Sequence, residues 1–150
     1  MNDVIFNKKE SIERCILQIR DYYMRPSELL FEEDYMKQDA IATNLHRACE
    51  QAIDLANHVI RKRKLGLPKE SRESFTMLSK AKIIPLELAR KLEGMVGFRN
   101  TLVHEYQQLD TMLMKQVIEH HLDDLLLFTD CIVKEFSQVV LHPQVGIQGD

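Results

Sequence analysis

Apolar residues recur every three or four positions along most of this chain, and this spacing constrains the fold more than any other feature. It places the apolar side chains on one face of an α-helix. The longest such stripe extends from Leu113 to Phe136. The 150 residues include only five glycines and four prolines, and apolar and polar residues do not alternate as in strands. The sequence therefore predicts an all-α protein.

Turn-forming and capping residues divide the chain into about five predicted helices. Proline, glycine and N-terminal capping side chains indicate where each helix begins or ends. The predicted helices cover residues 4–23, 34–64, 71–78, 85–99 and 110–136. Ser71 and Asp110 are predicted to cap the third and fifth of them, and residues 27–34 to form a loop or a short helical turn. Five helices with brief connections predict an antiparallel bundle.

Length and composition indicate one domain over residues 1–150, with a flexible tail from about residue 142. The chain is 45% hydrophobic and 29% charged, which is typical of soluble globular proteins. The longest uninterrupted apolar run, from Leu125 to Phe128, is far shorter than the roughly 20 residues of a membrane span. The N-terminus has no basic stretch followed by an apolar segment. We therefore expect a cytoplasmic protein without a membrane span.

The formal net charge is −3, which argues against a protein that binds nucleic acid through its overall charge. A local basic cleft is compatible with that value. The three cysteines, Cys15, Cys49 and Cys131, lie far apart, and no Cys-x-x-Cys pair occurs. We expect them to be reduced and buried, rather than joined in a disulfide or bound to zinc.

Several well-known sites are excluded because their motifs do not occur in the sequence. There is no Gly-x-x-x-x-Gly-Lys-[Ser/Thr] phosphate loop and no Gly-x-Gly-x-x-Gly dinucleotide motif. No histidine follows a glutamate by three residues, as the di-iron helical bundles require. The His-x-Glu and Cys-x-x-Cys motifs of zinc deaminases are also missing.

Three polar clusters have both a functional and a structural interpretation. His46, Glu50 and Asp54 lie one turn apart on the second helix, which suits metal ligands, but a solvated or hydrogen-bonded polar face is favoured. The pair His120-His121 points about 100° apart, so the two imidazoles do not easily share a metal. The basic run 61–64 suits the C-terminal end of a helix dipole, and it is also compatible with a phosphate backbone.

Four polar residues near the end of the fourth helix form the most unusual segment: Arg99, Asn100, His104 and Tyr106. On a helix, Asn100 and His104 lie on one face, and Arg99 and Tyr106 align about two turns apart. Arg99 and His104 are about 140° apart around the axis, so their convergence requires the reach of the arginine or a distortion of the helix end. The structural interpretation is a helix terminus at which the dipole favours His104 and Tyr106 is half-buried.

The segment Arg99-Asn100-x-x-x-His104-x-Tyr106 resembles the Arg-x-x-x-x-His-x-Tyr signature of the HEPN superfamily, including the usual polar residue after the arginine. Residues 45–56, 71–78 and 94–98 resemble the corresponding parts of its HepT-type members. The likeness extends over roughly residues 5 to 140. Motif, order, length and helix pattern together identify the chain as a member of this family.

The resemblance implies a homodimeric endoribonuclease that acts as the toxin of a two-gene toxin–antitoxin system and needs no metal or other cofactor. Its implied substrate is RNA, and its implied partner is a minimal nucleotidyltransferase, the antitoxin. The family's catalytic arginine, polar residue and histidine correspond to Arg99, Asn100 and His104. The tyrosine that the antitoxin adenylylates in this family corresponds to Tyr106.

These residue types suit RNA cleavage in which the ribose 2′-hydroxyl is the nucleophile. An imidazole exchanges protons near neutral pH, and Arg99 supplies a permanent planar cation for the phosphate. Each motif supplies one histidine, whereas cleavage needs an acid and a base, so a two-fold dimer would supply both. A non-catalytic binding partner of a nucleotidyltransferase and a purely structural helical dimer remain alternatives, because a fold does not establish an activity.

Overall fold

The computed structural model describes residues 3–102 and 110–148, with side chains described up to Ser137. This part of the chain is all-helical, as the sequence predicts, and it contains six α-helices and one 3-10 turn over Phe31–Glu33. The helices are α1 (Asp3–Met24), α2 (Tyr35–Arg63), α3 (Ser71–Lys80), α4 (Leu86–Thr101), α5 (Thr111–His120) and α6 (Leu122–Gln148). No helix of the described residues is long and apolar enough to cross a membrane.

Helices α1 and α2 form an antiparallel pair with the most extensive contact in the molecule. Lys8, early in α1, pairs with Asp54, late in α2, at 3.4 Å. At the other end, the ammonium of Lys37 donates to the carbonyl of Arg25 at 2.7 Å. Between these ends, the α1 face formed by Ile5, Ile12, Cys15, Ile16 and Ile19 is buried. Burial of this apolar surface is the main force that holds the pair together.

Helices α3 and α4 form a second pair, whose position on α2 and α6 is fixed by two contacts. The hydroxyl of Ser74 donates to the side-chain oxygen of Asn57 in α2 at 2.6 Å. The ring of Phe75 packs edge-on against Phe128 in α6, with centroids 5.4 Å apart. Both rings are fully buried. The C-terminal end of α4 lies against the middle of α2, where Arg99 donates to Glu50.

The sequence predicts one long fifth helix, and this prediction is wrong because the helix is divided at His121. This residue has φ −124° and ψ −4°, and its ring nitrogen Nδ1 lies 3.2 Å from the buried carboxylate of Asp124. Residues on both sides of the break remain buried, among them Met114, Val117, Leu122 and Leu125. The apolar spacing continues across the break, which explains why the sequence pattern does not reveal it.

The sequence predicts Ser71 and Asp110 as helix caps, and the structure confirms only Asp110. The Asp110 carboxylate accepts a hydrogen bond from the Leu113 amide at 3.0 Å, which confirms Asp110 as the cap of α5. Ser71 is instead the first residue of α3, and Glu70 occupies the cap position without a side-chain bond. The carboxylate of Glu73 accepts from the amide of Lys69, the residue before the cap position.

Other local expectations concern the ends of the two longest helices. In the basic run 61–64, Arg63 stacks on Phe136 at 4.4 Å and pairs with Glu135 at 3.3 Å, whereas the other three residues are exposed. This arrangement agrees with the structural interpretation of the run. Helix α6 continues to Gln148, beyond residue 142, and the flexibility of that tail stays a prediction.

The three cysteines are free thiols, as expected, but they differ in burial. Cys15 and Cys49 are buried, whereas Cys131 is half-buried. Burial raises the pKa of the Cys49 thiol to about 12, although the charge of Arg99 acts in the opposite direction. Cys49 therefore behaves as a small apolar residue under the helix that carries the site described below.

We expect Phe128→Ala to lower the free energy of unfolding by about 3–5 kcal/mol, since it removes a fully buried ring and its edge-on contact with Phe75. The matched control is Leu127→Ala, one residue earlier on the exposed face of α6, which should change it by no more than about 0.5 kcal/mol. Urea unfolding followed by circular dichroism measures both. Equal losses for the two variants would contradict this packing.

Candidate active site

Arg99 lies in the last turn of α4, and its guanidinium is held by two neighbouring side chains. Nη1 donates to the carboxylate of Glu50 in α2. Nε and Nη2 donate to the side-chain oxygen of Asn100 at 3.3 and 2.9 Å. An arginine has five N–H donors. Three of them donate to described residues, and the other two have no acceptor among the described residues.

The two side chains of this ion pair differ in burial, and this difference determines how much the pair contributes to stability. The Arg99 side chain is only 17% exposed, whereas that of Glu50 is 39% exposed. A guanidinium that is largely removed from water needs a nearby anion. A pair that is partly open to solvent contributes little to stability, about 0–1 kcal/mol. The main effect of Glu50 is therefore to fix the direction of the Arg99 guanidinium.

The three polar residues that the sequence singles out on the second helix, His46, Glu50 and Asp54, lie in two different surroundings. His46 Nε2 lies 3.7 Å from the Glu50 carboxylate, so both residues border the Arg99 site. Asp54 pairs instead with Lys8 of α1 at 3.4 Å. Within residues 3–102 and 110–148, no group of three histidine, cysteine or acidic side chains is placed to hold a metal ion. The contacts of His46, Glu50 and Asp54 agree with the hydrogen-bonded polar-face interpretation, and Glu50 gains a role that its sequence position did not reveal.

The end of α4 is built by local bonds that bring Arg99 and Asn100 to the surface of the bundle. The amide of Leu102 donates to the Arg99 carbonyl at 3.0 Å, and the Thr101 hydroxyl donates to the Phe98 carbonyl at 2.7 Å. One turn earlier, Met95 and Val96 are buried and fix the helix against the core. A cation in the last turn also interacts favourably with the helix dipole.

The structure brings together two of the four residues that the sequence singles out, Arg99 and Asn100. The sequence suggests that Asn100 orients an imidazole or a phosphate, whereas its side-chain oxygen accepts from Arg99. Its amide nitrogen has no acceptor among the described residues. His104 and Tyr106 lie outside the described residues. Their assigned roles stay predictions.

A helical bundle that presents a supported arginine and asparagine at one helix end is the arrangement expected of HEPN-type ribonucleases. The family model described as "Ribonuclease HepT-like" matches residues 12–132. The chain therefore belongs to the HepT-like ribonuclease family. The prediction of a ribonuclease toxin of a HEPN–nucleotidyltransferase system is confirmed.

Two curated relatives are nucleases. The chain is 44% identical to the mRNA nuclease HepT of Shewanella oneidensis, over 90% of this chain and 100% of that protein. It is 34% identical to the tRNA nuclease HepT of Aphanizomenon flos-aquae, over 59% of this chain and 63% of that protein.

One solved structure is similar over nearly the whole chain. It is the tri-AMPylated HEPN toxin of Shewanella oneidensis in complex with its MNT antitoxin, with a TM-score of 0.83 and 43% identity. The match covers 89% of this chain and 99% of that one. The shared architecture agrees with the helical bundle described above.

We expect Glu50→Ala to lower kcat for RNA cleavage by about 10-fold or more, because Arg99 loses the carboxylate that fixes its direction. Glu50→Gln should retain part of the activity, since its amide oxygen still accepts from Nη1. The control is Asp54→Ala, which removes a carboxylate one turn away that contacts Lys8 instead. Steady-state cleavage of one RNA by the three variants measures this. An unchanged kcat in Glu50→Ala would contradict the positioning role.

Proposed function

We propose that this protein cleaves RNA as a homodimer, with Arg99, Asn100 and His104 as its catalytic residues, and that a minimal nucleotidyltransferase antitoxin neutralises it by adenylylating Tyr106. The observation that carries the proposal is the guanidinium of Arg99, which Glu50 and Asn100 hold while two of its N–H donors bond to no described residue. Such a planar cation matches the oxygens of a phosphate. The proposal includes a cytoplasmic location.

In the proposed reaction the ribose 2′-oxygen attacks the neighbouring phosphorus, and the bond from phosphorus to the next nucleotide's 5′-oxygen breaks. An imidazole accepts the 2′-hydroxyl proton, and an acid protonates the leaving 5′-oxygen. The products are a 2′,3′-cyclic phosphate and a free 5′-hydroxyl. Proton transfer of this kind contributes about 10²–10⁴-fold to the rate. Arg99 stabilises the charge that grows on the other phosphate oxygens.

Each role needs a group that this chain can supply without a cofactor. His104 is the proposed proton carrier, because imidazole exchanges protons near neutral pH. Asn100 holds Arg99 through its oxygen, and its amide nitrogen, which bonds to no described residue, is the proposed donor to the phosphate. A single motif supplies one histidine, whereas the reaction needs both an acid and a base. A two-fold dimer with facing motifs supplies both.

Neutralisation by adenylylation follows from the charge of the proposed site. AMP on the Tyr106 oxygen adds a phosphate group and a base close in sequence to Arg99. The added phosphate would bind the Arg99 guanidinium in place of an RNA phosphate, and its negative charge would repel the RNA backbone. The similar toxin from Shewanella oneidensis is described as tri-AMPylated and in complex with an MNT antitoxin, which supports this part of the proposal.

We expect His104→Ala to lose most RNA cleavage, because the proton carrier is removed. Arg99→Lys should also lose most of it, since an ammonium cannot reproduce the planar fork held by Glu50 and Asn100. A 2′-deoxy nucleotide at the cleaved position should block the reaction, and chelators should have no effect. Gel assays with purified protein measure these changes, with Lys80→Ala as a control on an exposed cation. Full activity of His104→Ala, or loss of activity with a chelator, would contradict the mechanism.

Tyr106→Phe should escape neutralisation by the antitoxin, because it keeps the ring and loses the oxygen that accepts AMP. With antitoxin and ATP present, we expect the variant to cleave RNA as fast as the original protein does without them. Transfer of labelled AMP, followed by mass spectrometry of the tryptic peptides, identifies the acceptor. Equal neutralisation of the Phe variant, with label on another residue or on none, would show that Tyr106 is not the switch.

A further inference from the structure

A second arginine reaches the same helix end from α3. The guanidinium of Arg72 lies against Gly97 of α4, in the space that a side chain at this position would occupy. A Cβ atom built on Gly97 would lie 2.5 Å from Arg72 Nη2 and 3.4 Å from its Cζ. Any residue other than glycine would therefore displace the guanidinium.

Gly97 has no backbone reason to be a glycine. It lies inside α4 and is not among the positive-φ residues of the described chain. A glycine inside a helix weakens it relative to alanine. Gly94, one turn earlier, provides the comparison, because its built Cβ meets nothing within 4 Å. What distinguishes Gly97 is the space that it leaves for Arg72.

Arg72 is also a cation without a carboxylate partner among the described residues, and its side chain is exposed. The nearby carboxylates have other bonds, since Glu73 accepts from the Lys69 amide and Glu93 from the Thr76 hydroxyl. Arg99, in contrast, is already paired with Glu50.

The position of Arg72 relative to the site follows from the helix geometry. Gly97 and Asn100 are three residues apart and so lie on the same face of α4, about 5 Å apart along the axis. Arg99, in the last turn of α4, donates to Asn100. Asn100 therefore lies on α4 between Arg99, which contacts it, and Gly97, against which the Arg72 guanidinium of α3 lies. A chain of phosphates that passes over Asn100 would meet both guanidinium groups.

We propose that Arg72 binds the RNA backbone at a phosphate next to the one held by Arg99, and that Gly97 is the gap that lets it do so. This inference rests on the proposed ribonuclease function and adds a substrate-binding residue to it. It also explains how a chain with net charge −3 binds a polyanion, because two guanidinium groups lie where the phosphates pass. The contact is to the backbone, so it does not select a base.

The first test measures RNA binding in a His104→Ala background, so that the single-stranded RNA is not cut. Arg72→Ala should raise Kd about 10-fold near physiological salt. It should also reduce the slope of log K against log salt by about 0.7, the value for one phosphate contact on a single strand. The matched control is Lys80→Ala, which removes one exposed positive charge at the other end of α3. Circular dichroism confirms that each variant is folded.

The second test uses the two glycines. Gly97→Ala should raise Kd to a similar extent, because the new methyl group displaces the flexible guanidinium. The same change should have no further effect in an Arg72→Ala background. Gly94→Ala adds a methyl group in open space and should leave Kd unchanged. If Gly97→Ala raises Kd only when Arg72 is present, the effect comes from loss of the Arg72 contact with RNA and not from general damage to α4.

The outcomes separate this inference from the proposed function. If the unmodified protein cleaves RNA but Arg72→Ala has the Kd and salt slope of Lys80→Ala, the role of Arg72 is wrong and the ribonuclease proposal stands. If the unmodified protein binds RNA without cleaving it, the proposed function is wrong, and the salt slope still decides whether Arg72 contacts a phosphate. If it does not bind RNA, both are wrong.

Discussion

The packing of α2 on several sides is the constraint on which the rest of this structure depends. This helix contacts α1, α3, α4 and α6 and contributes thirteen buried residues. Four of them are alanines, which allow neighbouring helices to approach closely: Ala42, Ala48, Ala52 and Ala56. A helix surrounded in this way cannot rotate without exposing apolar surface. Any polar side chain at its margin therefore has a fixed direction.

Glu50 is such a marginal side chain, and its fixed direction gives the site its geometry. Its neighbour Cys49 is buried, so α2 cannot turn to release the carboxylate. Arg99 is the mobile partner, since an arginine side chain has many rotamers in the absence of a fixed acceptor. The carboxylate of Glu50 and the side-chain oxygen of Asn100 together hold the Arg99 guanidinium in one direction. The result is a cation whose orientation is set before any phosphate arrives, which is the condition for electrostatic catalysis.

The sequence predicts features of this molecule that depend on neighbouring residues along the chain. Helix spacing and the Asp110 cap are of this kind, and both are confirmed. Ser71 is not the cap because α3 begins at Ser71 itself, which places Glu70 at the cap position. The break at His121 is hidden for a different reason, because the apolar positions continue on both sides of it.

The ion pair between Glu50 and Arg99 could not be predicted in this way. The two residues are 49 positions apart, and nothing in the spacing of His46, Glu50 and Asp54 indicates which of them faces α4. The same holds for Arg72, whose contact with Gly97 depends on the antiparallel packing of α3 and α4. Sequence motifs locate the residues of one segment, whereas the groups that support them come from other helices. Only the packing of those helices identifies the supporting groups.

The small number of cations at the site connects catalysis with regulation in the proposed mechanism. Net charge is negative, so RNA is not held by the surface as a whole. Binding then depends on a few guanidinium groups, and Arg99 retains two N–H donors beyond its bonds to described residues. One covalently attached phosphate group can satisfy both of these donors, as it would in a bidentate pair. A strongly basic surface would still attract RNA after such a modification. A site with few cations is therefore one that a single added phosphate can silence.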